Sequence, residues 1–119
     1  MCIRDSYKGK KLIERNRILK DAKLLEEAGI FSVVLECIET KLAKIITKQL
    51  NIITVGIGSS ANCDGQVLVI DDLIGLSQSK FRFVKKYVNV NQMINLAVKR
   101  YKSEVLKIQF PKAKHSFKN

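Results

Sequence analysis

The sequence has 119 residues, enough for one ordinary domain core and too few for two. Its 46% hydrophobic and 28% charged content excludes a disordered chain, and no apolar run approaches the roughly 20 residues of a membrane-spanning helix. The formal charge of +11 raises the question of a nucleic-acid partner, but the lysines spread along predicted helices and only five of the 22 basic residues are arginine, so solvated helix faces account for most of it.

The opening MCIRDS resembles the translated end of a sequencing-library adapter. Met1 to Ser6 are therefore set aside from fold reasoning, and the chain is expected to be cut on its N-terminal side. Met1 to Lys11 is polar and lacks the apolar segment of a signal peptide, which makes a cytoplasmic location the default expectation. Cys2, Cys37 and Cys63 are odd in number and lack CxxC spacing, which points to reduced thiols rather than a disulfide framework or a zinc site.

Along the chain, Leu12, Ile13, Ile18, Leu19, Ala22, Leu25 and Ala28 recur at helical spacing, and Gly29 reads as the residue that ends the helix. A short β-branched run follows, predicting a strand over 31–36. A second helix is predicted from about Lys41 to Leu50, with Leu42, Ile45, Ile46 and Gln49 near one face. Residues 52–58, IITVGIG, read as a buried strand running into a glycine-bearing loop, and Gln66 to Ile70 as a third short strand. Helix is predicted again from about Lys80 to Tyr87 and from Asn91 to Lys107, with Pro111 as a late stop. Continuous apolar strands alternating with helices predict an α/β domain with a parallel sheet, the 31–36 and 52–58 strands joined as a right-handed βαβ unit. Three parallel strands bury both faces only if neighbours continue the sheet, and a complete eight-stranded barrel needs about 250 residues. The chain therefore reads as one domain or part of one, and residues 7–119 could be the closing, C-terminal part of a single (β/α)8 barrel domain, an incomplete barrel of about three parallel strands with covering helices.

In such folds ligands meet the C-terminal ends of strands. The apolar run Phe31-Ser32-Val33-Val34-Leu35 ends there on a carboxylate, Glu36. Beside apolar residues it would be partly desolvated and become a better proton acceptor. Two readings stand open from spacing alone: a general base, or an acid that caps the next helix or pairs with a lysine. The loop GIGSSANCDG departs from GxGxxG, because Ala61 takes the third place, and lacks a P-loop lysine; it marks a tight turn at a strand end. Asp71-Asp72 can be read as a cation site, but neighbours on a strand point to opposite faces, and Asp72 is better read as an N-cap. His115 lies in a basic tail and is a weak candidate for a base; Cys37 and Cys63 read as small buried thiols.

Taken together, VVLECIETKLAKIIT, ITVGIGSSANCDGQVLVIDDLIGL, FVKKY and FPKAKHSF resemble the C-terminal part of the ketopantoate (3-methyl-2-oxobutanoate) hydroxymethyltransferase family, from about Tyr7 to the end. The resemblance implies a (β/α)8 barrel that assembles as a homodecamer and acts in pantothenate and coenzyme A synthesis. It also implies proton removal from C3 of 3-methyl-2-oxobutanoate held on Mg²⁺, 5,10-methylenetetrahydrofolate as one-carbon donor, and small-molecule substrates rather than nucleic acid or membrane. The glutamate of the family's LEC segment, the proton acceptor, matches Glu36. The family's metal-ligating carboxylates and its substrate-gripping lysine and serine have no counterpart here, so no metal ligand is assigned and the isolated chain is expected to be inactive. The sequence departs from the family at Ile38-Glu39, where Val-Pro is common, and at Asp71-Asp72, where His-Asp is common; lysines replace acids ahead of His115-Ser116-Phe117. The alternatives are another enolate-forming barrel of the pyruvate/phosphoenolpyruvate superfamily and a basic nucleic-acid-binding module.

Overall fold

Residues 7–117 are described by a computed structural model; the expectation for Met1–Ser6, Cys2 included, lies outside them. The chain divides into two compact units, one of residues up to 69 together with 79–85, the other of 70–78 and 86 onward.

The first unit begins with α1 (Leu12–Glu27), followed by β1 (Ser32–Glu36), α2 (Thr40–Gln49), β2 (Ile53–Ile57) and the two-residue β3 (Gly65–Gln66). The strands form an open sheet in the order β1-β2-β3, parallel throughout, the α/β arrangement that the sequence predicts. Helix α1 ends where Gly29 adopts φ +85°. The Gly29 N–H donates to the Glu26 carbonyl and the Ile30 N–H to that of Leu25, satisfying carbonyls the last turn would leave open and turning the chain into β1. Helix α2 starts on Glu39, whose two carboxylate oxygens accept from the amides of Lys41 (3.0 Å) and Leu42 (2.9 Å).

The pleat sorts the strand residues. Leu35, with Val33 beside it, packs against Ala22 of α1 and Leu42, Ala43 and Ile46 of α2, with Leu50 and Cys63 completing the cluster. Leu42 and Ala43 have no exposed surface, and Gly9 packs so closely on Leu42 that an added Cβ would collide with its Cδ2. On the other face Ser32, Val34 and Glu36 stand in register with Ile53, Val55 and Ile57. No helix covers that side among the described residues, and Val34 and Ile53 are both more than half exposed. Helix α1 is buried less than its periodicity implies: Ala22 is covered and Ile18 and Leu19 partly so, whereas Leu12, Ile13 and Leu25 face solvent.

Two predicted elements differ from those observed. The strand expected over Gln66–Ile70 is confined to Gly65–Gln66, and Ile70 opens α3 (Ile70–Leu73) in the second unit. Apolar content alone does not separate a strand from a helical turn over so few residues. The helix expected over 80–87 is irregular, with one turn closed by the Val84 N–H on the Phe81 carbonyl (3.0 Å). Its aromatic and β-branched residues lose side-chain freedom in a helix, and the rings of Phe81 and Phe83 stack on each other instead, centroids 5.7 Å apart.

In the second unit α3 leads through a tight turn at Gly75 (φ +69°), whose Cα packs against the Val88 carbonyl, leaving no room for a side chain. Helix α4 (Val90–Leu106) is capped by the Asn89 side chain, which accepts from the Gln92 amide at 3.0 Å. A 3₁₀ turn over Ala113–His115 follows.

Truncating Leu42 to Ala removes the centre of the cluster behind β1. The expected cost is about 2–5 kcal/mol, measured as a fall in the denaturation midpoint; an unchanged midpoint would mean that this cluster does not hold the unit together.

Candidate active site at the strand ends

Glu36 is the last residue of β1, in register with Ile57 at the end of β2, so both stand at the C-terminal edge of the sheet. It shares the bare face with Val34 and is exposed, so the partial desolvation expected from its apolar neighbours is not supplied by the described residues. Cys37 follows with φ +51°, a left-handed conformation that is uncommon for a residue with a side chain and is concentrated at functional sites. Its amide donates to the Ile57 carbonyl at 2.9 Å and its carbonyl accepts from the Lys8 amide at 2.7 Å, fixing the turn from both sides.

The helix-capping role left open for Glu36 falls instead to Glu39. Besides the two α2 amides, the Glu39 carboxylate binds Arg15 of α1 at 3.3 Å. The amide of Lys41 is the largest influence on its carboxyl; burial opposes it, and the Leu42 amide and the Arg15 charge tip the balance so that the carboxyl is held below the usual range. Among the described residues no hydrogen bond or ion pair engages the Glu36 carboxylate. Among the described residues Glu36 is therefore an acid at a strand end, on the bare face of the sheet, that neither caps a helix nor forms an ion pair.

The loop after β2 is built to stay still. The Ser59 hydroxyl donates to the Ile38 carbonyl at 3.2 Å and the Thr40 hydroxyl to the Ser59 carbonyl at 3.4 Å, tying this loop to the one after β1. Ser60 is buried, and its carbonyl accepts from the Gln66 side-chain amide at 2.8 Å. Gly58, at φ +59°, lies under the Phe83 ring, 2.8 Å from where a Cβ would sit, so the glycine serves both a backbone conformation and a close approach. Behind the loop, fully buried Thr54 donates through its amide (2.8 Å) and hydroxyl (2.9 Å) to Asp64, and Thr47 lies 2.9 Å from that hydroxyl. The Thr54 amide, then its hydroxyl, hold the Asp64 carboxyl below the usual range.

The other residues singled out in the sequence have local structural roles. Asp72 is not an N-cap: it sits inside α3, buried, and accepts from the Ser77 hydroxyl. Asp71 is the second residue of α3, and its carbonyl accepts from the amides of Leu76 and Ser77. His115 accepts from the Lys112 amide through Nδ1 at 3.2 Å and leans on the Phe110 ring. Cys37 and Cys63 are buried thiols. Among the described residues no three His, Cys, Asp or Glu side chains converge on a common point. Nor is any described helix long and apolar enough to cross a membrane.

Comparison with known proteins decides the lineage. Residues 5–113 match the family model described as "Ketopantoate hydroxymethyltransferase". The chain belongs to the ketopantoate hydroxymethyltransferase family. It is 56% identical over 111 residues to the 3-methyl-2-oxobutanoate hydroxymethyltransferase of Pelagibacter ubique (strain HTCC1062), covering 93% of this chain and 43% of that protein. With the enzymes of the same name from Geobacter metallireducens and Syntrophus aciditrophicus it shares 52% identity (92% of this chain, 41% of that protein) and 53% identity (85% and 38%). The chain thus spans about two fifths of the length of the curated relatives it matches.

Sequence reasoning missed Glu39 as the cap of α2, and it missed Asp64 as the partner of Thr54. Glutamate lies outside the short polar residues that usually cap a helix, and the Thr54–Asp64 pairing spans a loop whose course no local pattern reveals.

Because Asp64 is held below the ordinary carboxylate range, its contribution to stability is complete above that range and is lost as pH falls through its folded-state value. The acid side of the pH–stability curve, below roughly pH 4, should flatten in Asp64→Asn; an unaltered slope would remove this carboxylate from the account.

Proposed function

We propose that this chain is the base-bearing part of an enzyme that transfers a hydroxymethyl group from 5,10-methylenetetrahydrofolate to 3-methyl-2-oxobutanoate, giving 2-dehydropantoate for pantothenate and coenzyme A synthesis. The reading rests on family membership, and the observation that carries it is the position of Glu36. Of the two acids that flank the β1–α2 turn, Glu39 is committed to α2 and Arg15, whereas Glu36 stands uncommitted at the strand end.

Removing a proton α to a ketone requires a base held at the reacting carbon. Glu36 takes the C3 proton, the resulting enolate carbon bonds to the donor's methylene carbon as that carbon's bonds to nitrogen break, and water supplies the hydroxyl oxygen while tetrahydrofolate leaves. A carboxylate on a hydrogen-bonded strand, followed by a turn pinned through Cys37, presents its oxygens at a fixed place, which lowers the orientational cost of the step. Bound Mg²⁺ would hold the negative charge of the enolate oxygen; its ligands are expected from residues outside those described, and the role of Glu36 does not depend on which they are.

The bare face of the sheet is read as the side on which further strands and substrate complete a (β/α)8 barrel, in a cytoplasmic homo-oligomer. An edge strand and an apolar face left open to water favour association over catalysis.

The assignment is tested by solvent-isotope exchange at C3 of 3-methyl-2-oxobutanoate, using the complete gene product that carries this chain. Glu36→Gln should lower exchange by at least about a hundredfold while the folded state is retained; near-wild-type exchange would end the assignment of Glu36 as base. The purified 119-residue chain should show no turnover and should self-associate in sedimentation experiments, and measurable transferase activity would overturn the need for further strands.

A further inference from the structure

Beyond the base, the first unit contains a cleft of about 870 Å³ at the C-terminal ends of β1 and β2. Its walls are the Cys37–Thr40 turn, the Gly58–Ala61 loop, and two segments distant in sequence that contribute Tyr7 with Lys10 and Arg82 with Phe83. The volume lies within the range of small-molecule sites, and the loops forming the floor are cross-tied by Ser59 and Thr40.

The lining has a definite chemistry. It supplies two aromatic rings, Tyr7 and Phe83, and two cations, Lys10 and Arg82. The Lys10 ammonium lies 4.1 Å from the centre of the Tyr7 ring, and Phe83 packs against Gly58. Arg82 is exposed and makes no ion pair among the described residues. The one acid in the lining, Glu39, has its charge answered by Arg15 and two α2 amides, so the cleft is left with a net positive character in a chain of charge +11.

Rings and cations together select a ligand with both a planar aromatic part and carboxylates. The keto acid fits poorly: it is small and aliphatic, would use neither ring, and would leave most of the volume empty. The donor fits, because its aminobenzoyl ring is joined to one or more glutamates. We infer that this cleft seats the aminobenzoyl-glutamate portion of the one-carbon donor, the ring between Tyr7 and Phe83 and the carboxylates on Lys10 and Arg82. The inference rests on the transferase reading above and adds where the donor binds. The seat also adjoins the turn that directly follows Glu36, so the donor lies against the strand end where the nucleophilic carbon is generated.

The test is calorimetric binding of p-aminobenzoyl-L-glutamate and its triglutamate to the complete gene product, compared with uncharged p-aminobenzamide. Arg82→Gln and Lys10→Gln should each weaken the glutamate probes about tenfold, more for the triglutamate, with little effect on the amide. Added salt should weaken the charged probes more in the parent protein than in the double variant. Both side chains are exposed, so circular dichroism is expected to show each variant folded; should one fail that check, the other decides. Less than a twofold change in the folded variants, or no binding of the charged probes by the parent, would overturn the inference. C3–H exchange by the parent protein, which needs no donor, separates the two failures. Exchange without probe binding refutes the cleft alone, whereas absent exchange refutes the transferase reading on which it stands.

Discussion

The pleat of β1 and β2 sends alternate side chains to opposite faces, and α1 and α2 cover only one of them. The position of Glu36 follows from that asymmetry. Leu35 goes to the covered face and anchors the strand in the Leu42–Ala43–Ile46 cluster; its neighbour Glu36 is thereby committed to the other. A slip of one residue in the register would bury the carboxylate among aliphatic side chains and expose Leu35, an exchange unfavourable in both directions. The packing of one residue therefore aims the next.

The turn that follows converts this aim into a fixed position. Cys37 is bound through its amide and its carbonyl, and Glu39 draws α2 onto the strand end through two amides and Arg15. The Gly58–Ala61 loop is tied to the same turn by hydroxyl groups, and Thr54 with Asp64 secures it from behind. Polar contacts of this kind contribute little individually, but here they converge on one edge of the sheet and fix the turn that follows Glu36.

Much of the first unit was legible in the sequence. Helical spacing located α1, α2 and α4 to within a residue or two at each end, Gly29 marked the end of α1, and the β-branched runs located β1 and β2. Glu36 stood out because an acid after five consecutive uncharged, mostly apolar residues contradicts simple burial, and the structure places it at the end of β1. Legibility fell where the local signal was short or absent. The residues from Gln66 to Ile70 are too few for strand and turn to be told apart, and 80–87 carries its aromatic rings for a contact with Gly58 rather than for any local period. The cleft was out of reach, since Tyr7 and Lys10 meet Arg82 and Phe83 only after the sheet has formed.

The left-handed backbone at Cys37 has one more consequence. A residue with a side chain held at φ +51° has few neighbouring conformations to relax into, and its two hydrogen bonds remove most of those. The strand end therefore lacks the slack by which many loops adjust to an ill-fitting ligand. If Glu36 is the base proposed above, an acid shortened by one methylene at that position would have no compensating backbone movement available to it.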